Sequence, residues 1–164
     1  MKAIVVYESL WGNTATIARA IAEGIGSGAR ALSTAEATAA EIDGADLIVA
    51  GAPVHAFGLP TEQSRRNAGG NTGKTPAPDL SHPPMRSWLS TLPAGKGRYA
   101  AFETAFKWSP SGAKGAIGKG LEKAGYSRVA KAQRFVVTGG SGPLRAGEVE
   151  RARAWGVELA RTIG

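Results

Sequence analysis

Cysteine is absent from this 164-residue chain, and histidine and methionine occur only twice each. With no thiol there is no disulfide, no thiolate nucleophile and no cysteine-ligated zinc or iron–sulfur cluster. His55 and His82 have no partner at helical spacing, so no histidine-based metal site is expected. Any redox chemistry must therefore come from a bound organic cofactor. Long hydrophobic runs are missing as well: none approaches the ~20 apolar residues of a membrane span. The chain enters a strand directly, without a secretory signal pattern. The expectation is a cytoplasmic protein with no membrane partner. Acidic residues are also few, 13 against 20 Lys and Arg, which leaves a net charge of +7.

The length predicts one domain with a substantial core. Its most informative stretch runs from Lys2 to Thr14. Ile4, Val5 and Val6 are β-branched and continuous rather than alternating, as in a strand buried on both faces of a parallel sheet. From Thr14 the period changes, and Ile17, Ile21 and Ile25 with Ala18 and Ala22 make one apolar helical face. A strand, a tight loop and a helix together aim free backbone N–H groups and the positive end of a helix dipole at an anion. Ser9, Asn13 and Thr14 add side-chain groups. The loop reads as a phosphate cradle; the plainer alternative is a turn capped by Asn13-Thr14.

The pattern then repeats. Residues 29–32 form a weak second strand, 34–42 a short helix, and 45–51 a clear third strand. The loop after it carries Pro53 and Pro60, with the rings of His55 and Phe57 at the carboxyl edge of the sheet. Residues 68–75 fit a relaxed nucleotide-binding loop, but no strand feeds into it and Pro76 and Pro78 block a helix after it. The stretch at about 63–80 is expected to be a flexible Gly/Pro-rich insertion instead. Ser81 is the expected cap of a helix whose buried face is Met85, Trp88, Leu89 and Leu92. A fourth strand over 99–102 leads into an aromatic loop, Glu103 to Pro110. Ala113, Ile117, Leu121 and Ala124 mark a fourth helix, 135–137 a fifth strand, and 148–163 a last helix. Five strands alternate with five helices.

On its first loop the chain resembles the flavodoxins. That family holds the phosphate of FMN in a hydroxyl-x-hydroxyl-Gly-x-Thr loop after the first strand. Ser9-Leu10-Trp11-Gly12-Asn13-Thr14 matches at Ser9, Gly12 and Thr14, and departs at Trp11, where many members carry a second hydroxyl. The resemblance implies an α/β fold, a doubly wound five-stranded parallel sheet of order 2-1-3-4-5 with helices on both faces; flavodoxin is the usual example of that order. It implies noncovalent FMN. Pro53, Val54, His55, Phe57 and Gly58 would form one wall, with Phe57 the stacking ring and the Phe57–Gly58 peptide at the flavin N5. Glu103, Thr104, Ala105, Phe106 and Trp108 would form the other, with Phe106 or Trp108 the opposite ring. Glu103 would cap that loop, or lower the flavin potential from a place near N1.

Residues 96–164 hold thirteen Lys and Arg against five Glu, whereas residues 1–95 hold seven against eight acids. Electron-carrying flavodoxins are typically acidic, so the excess points to an acidic redox partner, to nonspecific nucleic-acid affinity through phosphate contacts, or to a merely solvated basic face. No motif for specific nucleic-acid recognition is present. The leading expectation is electron transfer through FMN to a partner protein, without a catalytic side chain of its own. One alternative is an NAD(P)H-dependent quinone or nitro-compound reductase, usually completed across a dimer. Another is a flavin-free binding module in which Trp11 closes the phosphate pocket. Monomer and dimer both remain open.

Overall fold

The computed structural model describes residues 1–68, 76–110 and 112–164. Its centre is a parallel sheet in which β1 (Ala3–Tyr7) lies between β2 (Ala29–Ser33) and β3 (Leu47–Pro53), and β4 (Arg98–Ala105) pairs with β3. The fifth position is shared by two short strands, β5 (Ser127–Arg128) and β6 (Gln133–Val136), which both pair with β4. The order is thus 2-1-3-4-5, with the last strand split. The expected fifth strand sits at the end of that edge; Ser127 and Arg128 are exposed and polar, so no apolar pattern announced β5.

The continuous apolar strands are buried on both faces. Ile4, Val6, Ile48 and Ala50 point into one core with Met85, Trp88, Ile117 and Leu121. Ala3, Val5, Leu47 and Val49 point into the other with Ile17, Ile21, Trp155 and Leu159. Each large aliphatic side chain so buried contributes roughly 1.5–3 kcal/mol. One face is covered by α1 (Asn13–Ile25) and α6 (Glu148–Ile163), the other by α2 (Ala39–Ile42), α4 (Met85–Thr91) and α5 (Ala113–Lys123). The helices α1 and α6 cross at glycines. A Cβ on Gly24 would stand 2.0 Å from the Arg153 carbonyl oxygen, and one on Gly156 2.2 Å from that of Ile21.

Three local expectations are corrected. The helix expected over 34–42 is one turn long: Glu36 turns back to accept from the Ser33 amide, and Thr38 caps what remains. The stretch expected to open a loop begins instead with α3 (Glu62–Asn67), held by a reciprocal capping box between Thr61 and Ser64. The nucleotide-loop pattern beyond Ala68 lies outside the described residues. Ser81 does not cap α4; it bonds Asp79, and the Met85 amide donates instead to the buried carboxylate of Glu8. Among the described residues no helix is long and apolar enough to cross a membrane.

Candidate functional site

The carboxyl ends of β1, β3, β4 and β6 open onto a cleft of about 510 Å³, a size typical of small-molecule sites. Ser9, Leu10, Trp11, Asn13 and Thr14 line it after β1, Pro53 at the end of β3, and Val54, His55 and Ala56 just beyond. Thr104 and Ala105 line it at the end of β4, Phe106 and Ser109 just beyond, and Val137 and Gly140 after β6. Ser64 and Asn67 reach it from α3 and Ala68 from just beyond, a wall that apolar periodicity could not reveal because α3 carries no apolar residue.

The loop after β1 is built to present its backbone. Gly12 precedes α1 in a left-handed conformation (φ +94°), which glycine adopts without strain. The Asn13-Thr14 cap of the plainer alternative does not form. Instead the Ser9 hydroxyl accepts from the Gly12 and Ala15 amides at 3.1 and 3.2 Å, while Thr14 Oγ1 shares a hydrogen bond with Thr104 Oγ1 at 2.8 Å. The Trp11, Asn13 and Thr14 amides take no partner among the described residues. Trp11 is half-buried and committed sideways, its Nε1 donating to the Pro76 carbonyl at 2.8 Å. Asn13 packs against Gly142 of the loop after β6.

The wall after β3 differs in detail from expectation. Ala56 and Phe57, not Gly58, carry positive φ (44° and 69°). They form a tight turn closed by reciprocal His55–Gly58 backbone bonds of 2.8 and 2.9 Å. Two non-glycine residues in that region store about 1–2 kcal/mol each. The Phe57 ring is 65% exposed and stands off the cleft. The turn rests on the next loop, where a Cβ on Gly112 would meet the Phe57 carbonyl oxygen at 1.7 Å. His55 Nδ1 lies 3.0 Å from Ser64 Oγ, which also lies 3.1 Å from the Thr61 carbonyl oxygen. Burial and the nearby Arg65 push the His55 pKa down, which keeps the ring neutral at pH 7.

In the wall after β4, Phe106 lines the cleft and Trp108, 77% exposed, stacks on it with ring centroids 5.2 Å apart. Trp108 thus backs the aromatic wall and does not itself line the cleft. Glu103 is fully buried and away from the cleft. It accepts from the Lys114 amide and pairs with Arg134 at 2.7 Å, and Arg134 also donates to the carbonyls of Phe106 and Ser109. Burial opposes the Glu103 charge, but the Lys114 amide and Arg134 outweigh it and hold its pKa below the usual range. Glu103 thus anchors the first turn of α5 directly and the loop carrying Phe106 through Arg134.

A charged cluster lies behind the phosphate-loop candidate that no local sequence pattern announced. Glu8, wholly buried, sits 3.1 Å from Arg65 Nε, though without the alignment of a hydrogen bond. Burial raises its pKa to about 7, against the opposing pull of the Met85 amide, Arg65 and Arg86. Arg65 Nη2 donates to the His82 carbonyl at 2.7 Å, and His82 Nε2 lies 3.1 Å from the Ser9 amide.

A sequence model of flavodoxins matches residues 5–155. The chain belongs to the flavodoxin family. Its members are FMN-binding electron carriers that pass electrons to partner proteins. Among solved structures it is similar to a flavodoxin from the domain Archaea, at 22% identity and TM-score 0.70 over 99% of both chains. It is similar to flavodoxin 1 of Bacillus cereus at 18% identity and TM-score 0.64, over 98% of each chain. It also matches the flavodiiron core of Synechocystis sp. PCC6803 (19% identity, TM-score 0.65), covering 99% of this chain and 36% of that one. At these identities the likeness is one of fold. No curated protein matches the sequence.

Proposed function

We propose that this flavodoxin binds FMN noncovalently in the cleft and carries electrons to a partner protein. The observation that carries the reading is the start of α1, where the Trp11, Asn13 and Thr14 amides have no partner among the described residues and stand beside the Ser9 and Thr14 hydroxyls at the cleft wall. Neither an acidic nor a Lys or Arg side chain lines the cleft among the described residues. A phosphate there would be held by amides, hydroxyls and the helix dipole, without a counter-cation. Trp11 does not fill the cradle, because its indole is tied to the Pro76 carbonyl.

Bound FMN would supply the redox chemistry, taking up and releasing electrons at its ring system. The chain's own residues do the rest. Gly12, Asn13 and Thr14 orient the phosphate end. Phe106, stiffened by Trp108 and by the Arg134 bonds to its loop, and Val54 and His55 opposite, enclose the ring end and exclude water. The peptides around Phe57 and Gly58 and the amides of Thr104 to Phe106 are the backbone groups available to the ring edges. The excess of Lys and Arg in residues 96–164 favours an acidic partner.

The test is a visible spectrum followed by titration of the apoprotein with FMN and with riboflavin, read by flavin fluorescence. A yellow protein that binds FMN at least tenfold more tightly supports the reading, tenfold being about what one good polar contact provides. A colourless protein that leaves added FMN unquenched overturns it. Rapid bleaching by NADPH without a partner would move the function from carrier to reductase.

A further inference from the structure

Behind the phosphate loop, on the side away from the cleft, the segment from Pro76 to Met85 is fastened to the end of β1 by four separate contacts. Trp11 Nε1 donates to the Pro76 carbonyl, the Asp79 amide to the Leu10 carbonyl at 2.8 Å, and the Met85 amide to Glu8 Oε1 at 2.8 Å. The fourth is different in kind, because the Ser9 amide points at the ring nitrogen of a buried histidine, His82 Nε2, at 3.1 Å. A backbone N–H can only donate, so Nε2 must carry the lone pair and Nδ1 the proton. Ser9 is also the residue whose hydroxyl holds the Gly12 and Ala15 amides, and so sets the first turn of α1. Its backbone position therefore determines where the free amides of the cradle point.

We infer that His82 is a positioning residue for the phosphate cradle, fixing the Ser9 peptide from behind in its neutral form and releasing it when protonated. The inference rests on the phosphate-binding reading of that loop. The surroundings of His82 favour the neutral ring. Arg65 on α3 donates to the His82 backbone carbonyl, Glu8 at the end of β1 faces Arg65 rather than the imidazole, and Arg86 on α4 acts on Glu8. The single carboxylate turned toward Nδ1 is Asp79, at 4.0 Å and largely exposed. Burial and Arg65 therefore push protonation below the ordinary histidine range. An imidazolium has two N–H groups and no acceptor, so the bond to the Ser9 amide cannot survive it.

The affinity ratio of FMN to riboflavin tests this, since riboflavin lacks only the phosphate. His82→Ala is expected to weaken FMN about tenfold, the effect of one hydrogen bond, and riboflavin less than about twofold. His82→Gln, whose carbonyl oxygen can accept the same N–H, is expected to restore most of the loss. As the pH falls through the lowered range of the His82 ring, the ratio should fall more steeply in the wild-type protein than in His82→Gln, where only the second ionisation of the FMN phosphate, at about 6, remains. Equal weakening of both flavins, or no weakening of either, overturns the inference. A flavin-free readout separates its failure from that of the functional reading. In the apoprotein the Ser9 amide resonance should titrate together with the His82 ring, and its hydrogen exchange should speed up in His82→Ala. If wild-type protein binds no flavin, the functional reading fails and the cradle role of His82 fails with it. If flavin binds but the Ser9 resonance ignores His82, the positioning role alone is wrong.

Discussion

The carboxylate of Glu148 lies buried at the start of α6, where the Val136 amide donates to it at 2.6 Å and the Arg145 and Arg151 guanidinium groups sit at 3.2 and 2.7 Å. Burial raises its pKa, but Arg151, the amide and Arg145 more than offset that and bring it to about 2. A depressed carboxylate pKa adds stability that is present above the ordinary value and is lost as pH falls through the folded one. Here the window runs from about 4.5 down to about 2. Glu148→Gln should lower the unfolding free energy at pH 7 by about 2–3 kcal/mol and leave it nearly unchanged at pH 2, allowing for partly exposed arginine partners. Urea unfolding at both pH values checks this. Glu8 works in the opposite sense: its raised pKa means that stability declines as pH rises from about 4.5 through about 7. Such charges are invisible to a reading of local patterns. Glu8 meets Arg65 and Met85, and Ser9 meets His82, only because the fold brings distant segments together.

At the level of elements, the tightest construction is the crossing of α1 and α6. Each helix gives up a side chain so that backbones approach, with Gly24 facing Arg153 and Gly156 facing Ile21. Gly156→Ala gains helix propensity but places a methyl against a carbonyl, and should destabilise the protein by about 2–3 kcal/mol. Thermal or urea denaturation measures it, and an unchanged midpoint would show that the helices can separate freely. The sequence displays this packing only as interruptions in an apolar stripe. Elements with an apolar face were legible: β1, β3, α1, α5 and α6 all fall where period and branching place them. Elements without one were not. The α3 sequence is wholly polar and owes its helix to the Thr61–Ser64 box, a signal present in the sequence but short. The turn at Ala56 and Phe57 defeats a glycine-based expectation, since its neighbours rather than Gly58 carry the unusual φ values. Of the expected site, the loop after β1 was legible in residue type. Phe57 and Trp108 lie in the loops where they were expected, whereas Glu103 belongs to β4, which runs on to Ala105; the facing of all three depends on contacts with Gly112, Phe106 and Arg134.

Across the whole molecule, charge divides along the sheet. The β1–β3 half carries most of the exposed acids, and the β4–β6 half with α5 holds Lys107, Lys114, Lys119, Lys123, Arg128, Lys131 and Arg134. The exposed Trp108 stands on the basic side of the cleft. Small oxidants of opposite charge would report this field. The reduced flavoprotein, mixed in stopped flow with hexacyanoferrate(III) or with tris(phenanthroline)cobalt(III), should transfer one electron to each complex. The rate for the anion should fall several-fold as salt rises from about 20 to 500 mM, and that for the cation should rise, as screening predicts. Salt-independent rates would show that the charge lies away from the electron exit. The divided edge beside β4 has a different consequence. A long open strand is a rail on which another sheet can lie, backbone to backbone. Here the rail is cut into lengths of two and four residues, with Lys131 between them. On that side a second copy finds no continuous row of donors and acceptors to continue, which leaves five-residue β2, at the far border, the longer open edge among the described residues.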